Sequence, residues 1–145
     1  MDEKLKISIA SDHAGFEMKN KIMKYLEENG FSLIDRGPSS SNSVDYPDFA
    51  NKVCKDLLDQ NVDRGILVCG SGQGMAMSAN KHKGIRAALC NSKEMTELAR
   101  AHNDANILTL GARFIDESLA FSCVDIFIST SFEGDRHIQR VNKIG

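Results

Sequence analysis

The sequence predicts a doubly wound α/β fold: a single domain over residues 1–145 with a five-stranded parallel sheet, strand order 2-1-3-4-5, and helices on both faces. Three observations carry this. Short apolar runs alternate with longer stretches of helical periodicity, which is the pattern of repeated strand–helix units. The runs Ile66-Leu67-Val68 and Ile107-Leu108-Thr109-Leu110 are apolar without alternation, as strands covered on both faces are. Right-handed crossovers then place helices on both sides of the sheet.

The elements follow in chain order. Leu5–Ala10 reads as the first strand, entered from the charged Met1-Asp2-Glu3-Lys4, and the polar cluster Ser11-Asp12-His13-Ala14-Gly15 leads into a helix over Phe16–Glu28. Phe16, Ile22, Met23 and Leu26 give that helix an apolar stripe, and Gly30 stands where a helix C-terminal glycine belongs. Phe31–Asp35 is the second strand, and Gly37–Ser43 is a flexible loop. After Asp45-Tyr46-Pro47 a second amphipathic helix carries Phe49, Val53, Leu57 and Leu58. Arg64–Cys69 is the third strand, and Met75–Lys81, rich in helix formers, is its helix. Ile85–Cys90 and Ile107–Leu110 complete the sheet, with helices over Ser92–His102 and Asp116–Ile128.

Composition narrows the partner. Eighteen basic residues stand against 20 acidic ones, with an isoelectric point near 6.1, so no electrostatic case exists for nucleic acid or an anionic membrane. A small molecule is the expected partner. Cysteines 54, 69, 90 and 123 are too irregularly spaced for a cysteine-based zinc site, and neither a signal peptide nor a membrane-spanning stretch is visible. The expectation is a cytoplasmic protein without a metal.

The chemistry concentrates at Cys69-Gly70-Ser71-Gly72-Gln73-Gly74, where the third strand stops at a thiol and three alternating glycines. Unpaired backbone N–H groups at a helix start attract an anion or a developing oxyanion, and a thiol beside them is acidified. No Lys-Ser or Lys-Thr pair follows at a phosphate-loop offset, and Met75 stands where the third glycine of a dinucleotide fingerprint or the arginine of a thiol phosphatase would stand. Two readings fit what is left: a thiol next to an anion cradle, or a small buried hydrophobe before an ordinary turn. In a 2-1-3-4-5 sheet the strand order reverses between strands one and three. Asp12, His13 and Cys69 therefore share one crevice.

Two further groups read less simply by themselves. His102 continues the stripe Met95, Leu98, Ala99 of its helix, which is the habit of a core histidine. Arg136 and Arg140 are four apart, on one face if helical, and arginine pairs suit phosphate oxygens. A solvated basic helix end reads equally well.

Taken in order, Asp12-His13-Ala14-Gly15, Asp45-Tyr46-Pro47, the Cys69–Gly74 loop, Asn80-Lys81, Gly84-Ile85-Arg86-Ala87, His102-Asn103-Asp104-Ala105-Asn106 and Gly134-Asp135-Arg136-His137 resemble the type B ribose-5-phosphate isomerases over nearly the whole chain. That group also contains galactose- and allose-6-phosphate isomerases. The resemblance implies interconversion of ribose 5-phosphate and ribulose 5-phosphate through an enediolate, within the pentose phosphate pathway and without metal or organic cofactor. Cys69 corresponds to the base, Ser71 offers a hydroxyl, and Gly70, Gly72, Gln73 and Gly74 surround the enediolate. His102 takes the ring-opening role. Asp12, His13 and Asn103 resemble groups that hold sugar hydroxyls, Tyr46 lines the pocket, and Arg113, Arg136 and Arg140 resemble the phosphate clamp. One branch places a glutamate base a little further along the loop, where this chain has Met75, so the chain resembles the cysteine branch. The resemblance also implies a homodimer or dimer of dimers whose sites are shared between subunits. Two alternatives accompany it: a 6-phosphohexose isomerase, and a non-catalytic phosphosugar-binding module.

Overall fold

A computed structural model describes residues 4–145; the lead-in Met1 to Glu3 lies outside the described residues. The sheet contains β1 (Lys6–Ser11), β2 (Ser32–Asp35), β3 (Arg64–Cys69), β4 (Ala87–Leu89) and β5 (Ile107–Gly111). The helices are α1 (Phe16–Glu28), α2 (Tyr46–Leu58), α3 (Gln73–Ala79), α4 (Lys93–Ala101), α5 (Glu117–Ser129) and α6 (Arg136–Ile144). All strand pairings are parallel.

Local chemistry sets the element ends. Ser92 and Asp116 cap α4 and α5 by accepting the Met95 and Leu119 N–H groups at 3.2 and 2.8 Å, and Pro47 sits in the first turn of α2. β4 keeps only the middle of the expected strand, and α3 begins two residues earlier than its run of helix formers suggests.

The strand order is β2-β1-β3-β5-β4, which corrects the expected 2-1-3-4-5. Burial explains the exchange. β5 is buried along its whole length, whereas Ala87-Ala88-Leu89 is short and half-buried. A position between two strands suits the chain that can be covered on both faces, and a brief, partly wet strand suits the edge. The reversal between β1 and β3 is unaffected by this change.

Alternation along β3 divides the core. Ile66 and Val68 pack with α1, α4 and α5, among them Ile22, Leu26, Ala99, Val124 and Phe127. Leu67 and Cys69 face the other way, onto α2 and α3, with Ala50, Val53, Met75 and Ala79. Met75 is therefore core, which suits an apolar residue there. Among the described residues no helix is long and apolar enough to cross a membrane.

Candidate active site

Cys69 ends β3 at the C-terminal edge of the sheet and is only 4% exposed. The chain turns sharply behind it, and the Gly72 N–H donates to Sγ across 3.2 Å. Gly72 makes that turn at φ +79°, and a Cβ there would come within 2.5 Å of Leu89. The Gln73 N–H donates to Ser71 Oγ at 3.3 Å. The Tyr46 ring lies over Gly74 so closely that a Cβ would meet it at 2.7 Å.

The neighbouring strands supply the rest of this edge. The Asp12 N–H donates to the Val68 carbonyl at 3.1 Å, which fixes the β1 loop beside the thiol loop. The buried Asp12 carboxylate accepts the Gly15 N–H at 3.0 Å, and His13 stays exposed while its Nδ1 accepts the Val44 N–H at 3.3 Å. Because β5 pairs directly with β3, Cys69 lies opposite Gly111, and the Ala112 and Arg113 N–H groups donate to the Cys69 and Gly70 carbonyls at 2.8 and 3.0 Å. The Arg113 guanidinium consequently lies over Gly70, 3.2 Å from where a Cβ would be. The corrected strand order is what delivers it there.

Lys19, unremarked in the sequence, supports the adjacent loop. It is buried against the sheet end, donating to Asp35 Oδ1 at 2.8 Å and to the Pro38 carbonyl at 3.2 Å.

His102 is not at this edge. It caps α4 and precedes β5, so it stands at the N-terminal edge with Asn103, and the five residues of β5 separate the two edges. At about 3.3 Å per residue that is roughly 15 Å. Arg136 and Arg140 share α6, as their spacing suggests, and α6 packs beside His102. The His102 and His137 rings stack with centroids 4.3 Å apart. Glu133 reaches both, its two oxygens 3.7 Å from His102 Nε2 and 3.8 Å from His137 Nε2, and its N–H is tied to the Ala101 carbonyl at 2.9 Å. Burial, together with Arg136 and the stacked His102, pushes the His137 imidazole below its usual range. In the sequence His137 stands out only as the last residue of the Gly134–His137 motif, with no role, and Glu133 does not stand out; the four-residue interval between them was the one hint.

Hollows do not mark the site. Ser71 and Gln73 line one of about 200 Å³, while a larger one, about 810 Å³, lies behind the β2 loop beside Arg36, Phe49 and Asp56.

Fold and site define a class: a doubly wound α/β enzyme that carries a thiol and a glycine-rich loop at the switch point of its sheet, ready for a small anionic substrate. Within that class, the chain belongs to the ribose/galactose isomerase family, whose profile matches residues 7–144. It is 42% identical to ribose-5-phosphate isomerase B of Escherichia coli over 139 residues, covering 96% of this chain and 93% of that one. A ribose 5-phosphate isomerase structure from Thermotoga maritima superimposes with a TM-score of 0.96 at 52% identity, covering 98% of each chain. The Mycoplasma genitalium enzyme, solved with ribulose 5-phosphate bound, superimposes at 0.91 with 44% identity, covering 96% of this chain and 93% of that one.

Proposed function

We propose that this protein interconverts ribose 5-phosphate and ribulose 5-phosphate at sites shared between two copies of the chain, with Cys69 as base and His102 as the acid that opens the furanose ring. Relatives named ribose-5-phosphate isomerase, at 42–52% identity over nearly the full length, and one of 44% identity solved with ribulose 5-phosphate bound, support the substrate. The observation that carries the mechanism is the Cys69 sulfur at the switch point with the Gly72 N–H aimed at it across 3.2 Å.

The chemistry needs a base that visits two adjacent carbons. The thiolate removes the C2 proton of the open-chain aldose, the electron pair passes into an enediolate, and the same sulfur returns the proton to C1 as the hydroxyl proton moves between O1 and O2. Loop N–H groups between Gly70 and Gly74, with the Ser71 hydroxyl, meet the charge that develops on oxygen. In comparable oxyanion holes each such donor contributes about 3 kcal/mol. Asp12, His13 and Asn103 hold the sugar hydroxyls, and Tyr46 closes the wall.

Two copies are required because one chain holds its acid and its base at opposite sheet edges. The partner subunit's His102, Asn103, Arg136 and Arg140 complete the thiol edge, and Arg113 joins them on the phosphate. Exposed Met95 and Leu98 on α4, with Ile138 and Ile144 on α6, provide apolar surface on the elements that would have to meet a second copy. Residues 1–145 act as one isomerase domain in this reading.

Parallel assays of ribose 5-phosphate, allose 6-phosphate and galactose 6-phosphate test the substrate. The ribose ester is expected to have the highest kcat/KM; a higher value for either hexose ester would move the chain to the other branch of its family.

A further inference from the structure

We propose that His102, Glu133 and His137 form a binding site for one divalent transition-metal ion, zinc or cobalt by ligand chemistry, and that occupancy silences the enzyme. The candidate donor atoms of the three residues lie within 4.8 Å of one another. The two Nε2 atoms approach different oxygens of the same carboxylate, at 3.7 and 3.8 Å. Those distances are too long for hydrogen bonds. They are close to what an ion requires, since tetrahedral ligands at zinc distances lie about 3.4 Å apart.

A second observation points to a missing ligand. His137 Nε2 is buried and has no hydrogen-bond partner among the described residues, and its side chain is only 7% exposed. A buried ring nitrogen is ordinarily satisfied. Here the rings of His102 and His137 stack within 15° of parallel, and both turn their Nε2 edges to Glu133. Because the rings lie parallel, their in-plane Nε2 lone pairs do not converge, so an ion held by all three requires the more exposed His102 ring to turn out of the stack toward His137 Nε2 and Glu133.

The donor set selects the metal. Two imidazoles and one carboxylate suit zinc, cobalt or nickel, whereas magnesium and calcium prefer oxygen shells. Within one chain Glu133 is 53% and His102 35% exposed, which leaves a fourth position open on the outer side. Cys69 of the same chain lies at the opposite sheet edge and cannot contribute. The inhibitory consequence rests on the function proposed above: a metal on His102 Nε2 removes the group that protonates the ring oxygen.

Cobalt chloride titrated into the full-length protein tests binding directly, with visible d–d absorption as the readout. One ion per chain is expected, displaced by zinc, with affinity at least about tenfold weaker in Glu133→Gln and in His137→Gln, each verified as folded by circular dichroism. No absorption up to about a tenfold excess of cobalt, or equal affinity in both ligand variants, would overturn the site. Zinc at full occupancy should suppress turnover of ribose 5-phosphate, a chelator should restore it, and Glu133→Gln should retain turnover in the presence of zinc. Undiminished turnover at full occupancy would overturn the inhibitory half and the role of His102, while the spectrum would still report the ligand set.

Discussion

Cys69 and His102 sit at opposite ends of the same parallel sheet, one closing β3 at its C-terminal edge and the other just ahead of β5 at the N-terminal edge. No side-chain rotation spans roughly 15 Å. If the two act on one substrate, they come from two chains. Inactive Cys69→Ala and His102→Ala proteins, mixed and allowed to exchange subunits, should regain activity. Random pairing makes half the dimers hybrids with one intact site each, so recovery of about a quarter of wild-type turnover is expected. No recovery after exchange, followed by native mass spectrometry, would argue against shared sites.

Gly72→Ala tests the turn that aims a donor at the sulfur. The left-handed φ of +79° and the 2.5 Å approach to Leu89 both oppose a side chain. A loss of about 1–3 kcal/mol in stability is expected, with turnover falling further than the unfolded fraction accounts for. Denaturant titration and steady-state assays on the same preparation separate the two effects.

The arginines of α6 should act through the phosphate alone. Arg136→Ala or Arg140→Ala is expected to lower kcat/KM for ribose 5-phosphate by about 10–100-fold, while the slow reaction of unphosphorylated ribose stays nearly unchanged. Equal losses on both sugars would place these residues elsewhere in the mechanism.

Asp56 gives stability a pH signature away from the chemistry. Its carboxylate is buried, accepts Arg36 Nε and Nη2 at 2.7 and 2.6 Å, and accepts the Ser8 hydroxyl at 2.7 Å. The Arg36 hydrogen bonds outweigh the opposing effect of burial and hold the carboxyl below its usual range. A depressed folded value contributes stability above the unfolded carboxyl value near 3.9, and that contribution is lost as pH falls through the folded value. Asp56→Asn should therefore cost about 1–2 kcal/mol at pH 7, a figure discounted because Arg36 is itself well exposed. The gap to wild type should narrow below about pH 4. Urea titrations at several pH values measure it.

Most of the fold was legible because its signals are local. The strand at Arg64–Cys69 announces itself by an unbroken apolar run, α1 by its stripe, and the thiol loop by glycines that only a tight turn needs. Strand order was not local: chain order suggested β4 beside β3, and only the relative burial of Ile107–Gly111 and Ala87–Leu89 reverses them. The site divides in the same way. Asp12, just after β1, Tyr46, at the start of α2, and Cys69, the last residue of β3, stand at strand and helix ends that share one sheet edge in any fold of this type. The meeting of His102 with Glu133 and His137 depends on where α6 returns against the end of α4, which no spacing in the chain encodes.

The central claim is that one sulfur carries hydrogen between C2 and C1, and solvent exchange reads that directly. With ribose 5-phosphate in deuterated buffer, the wild-type protein should introduce deuterium at C2 of the aldose and C1 of the ketose as seen by NMR, and folded Cys69→Ala should introduce none. Exchange by Cys69→Ala at the wild-type rate would contradict the account.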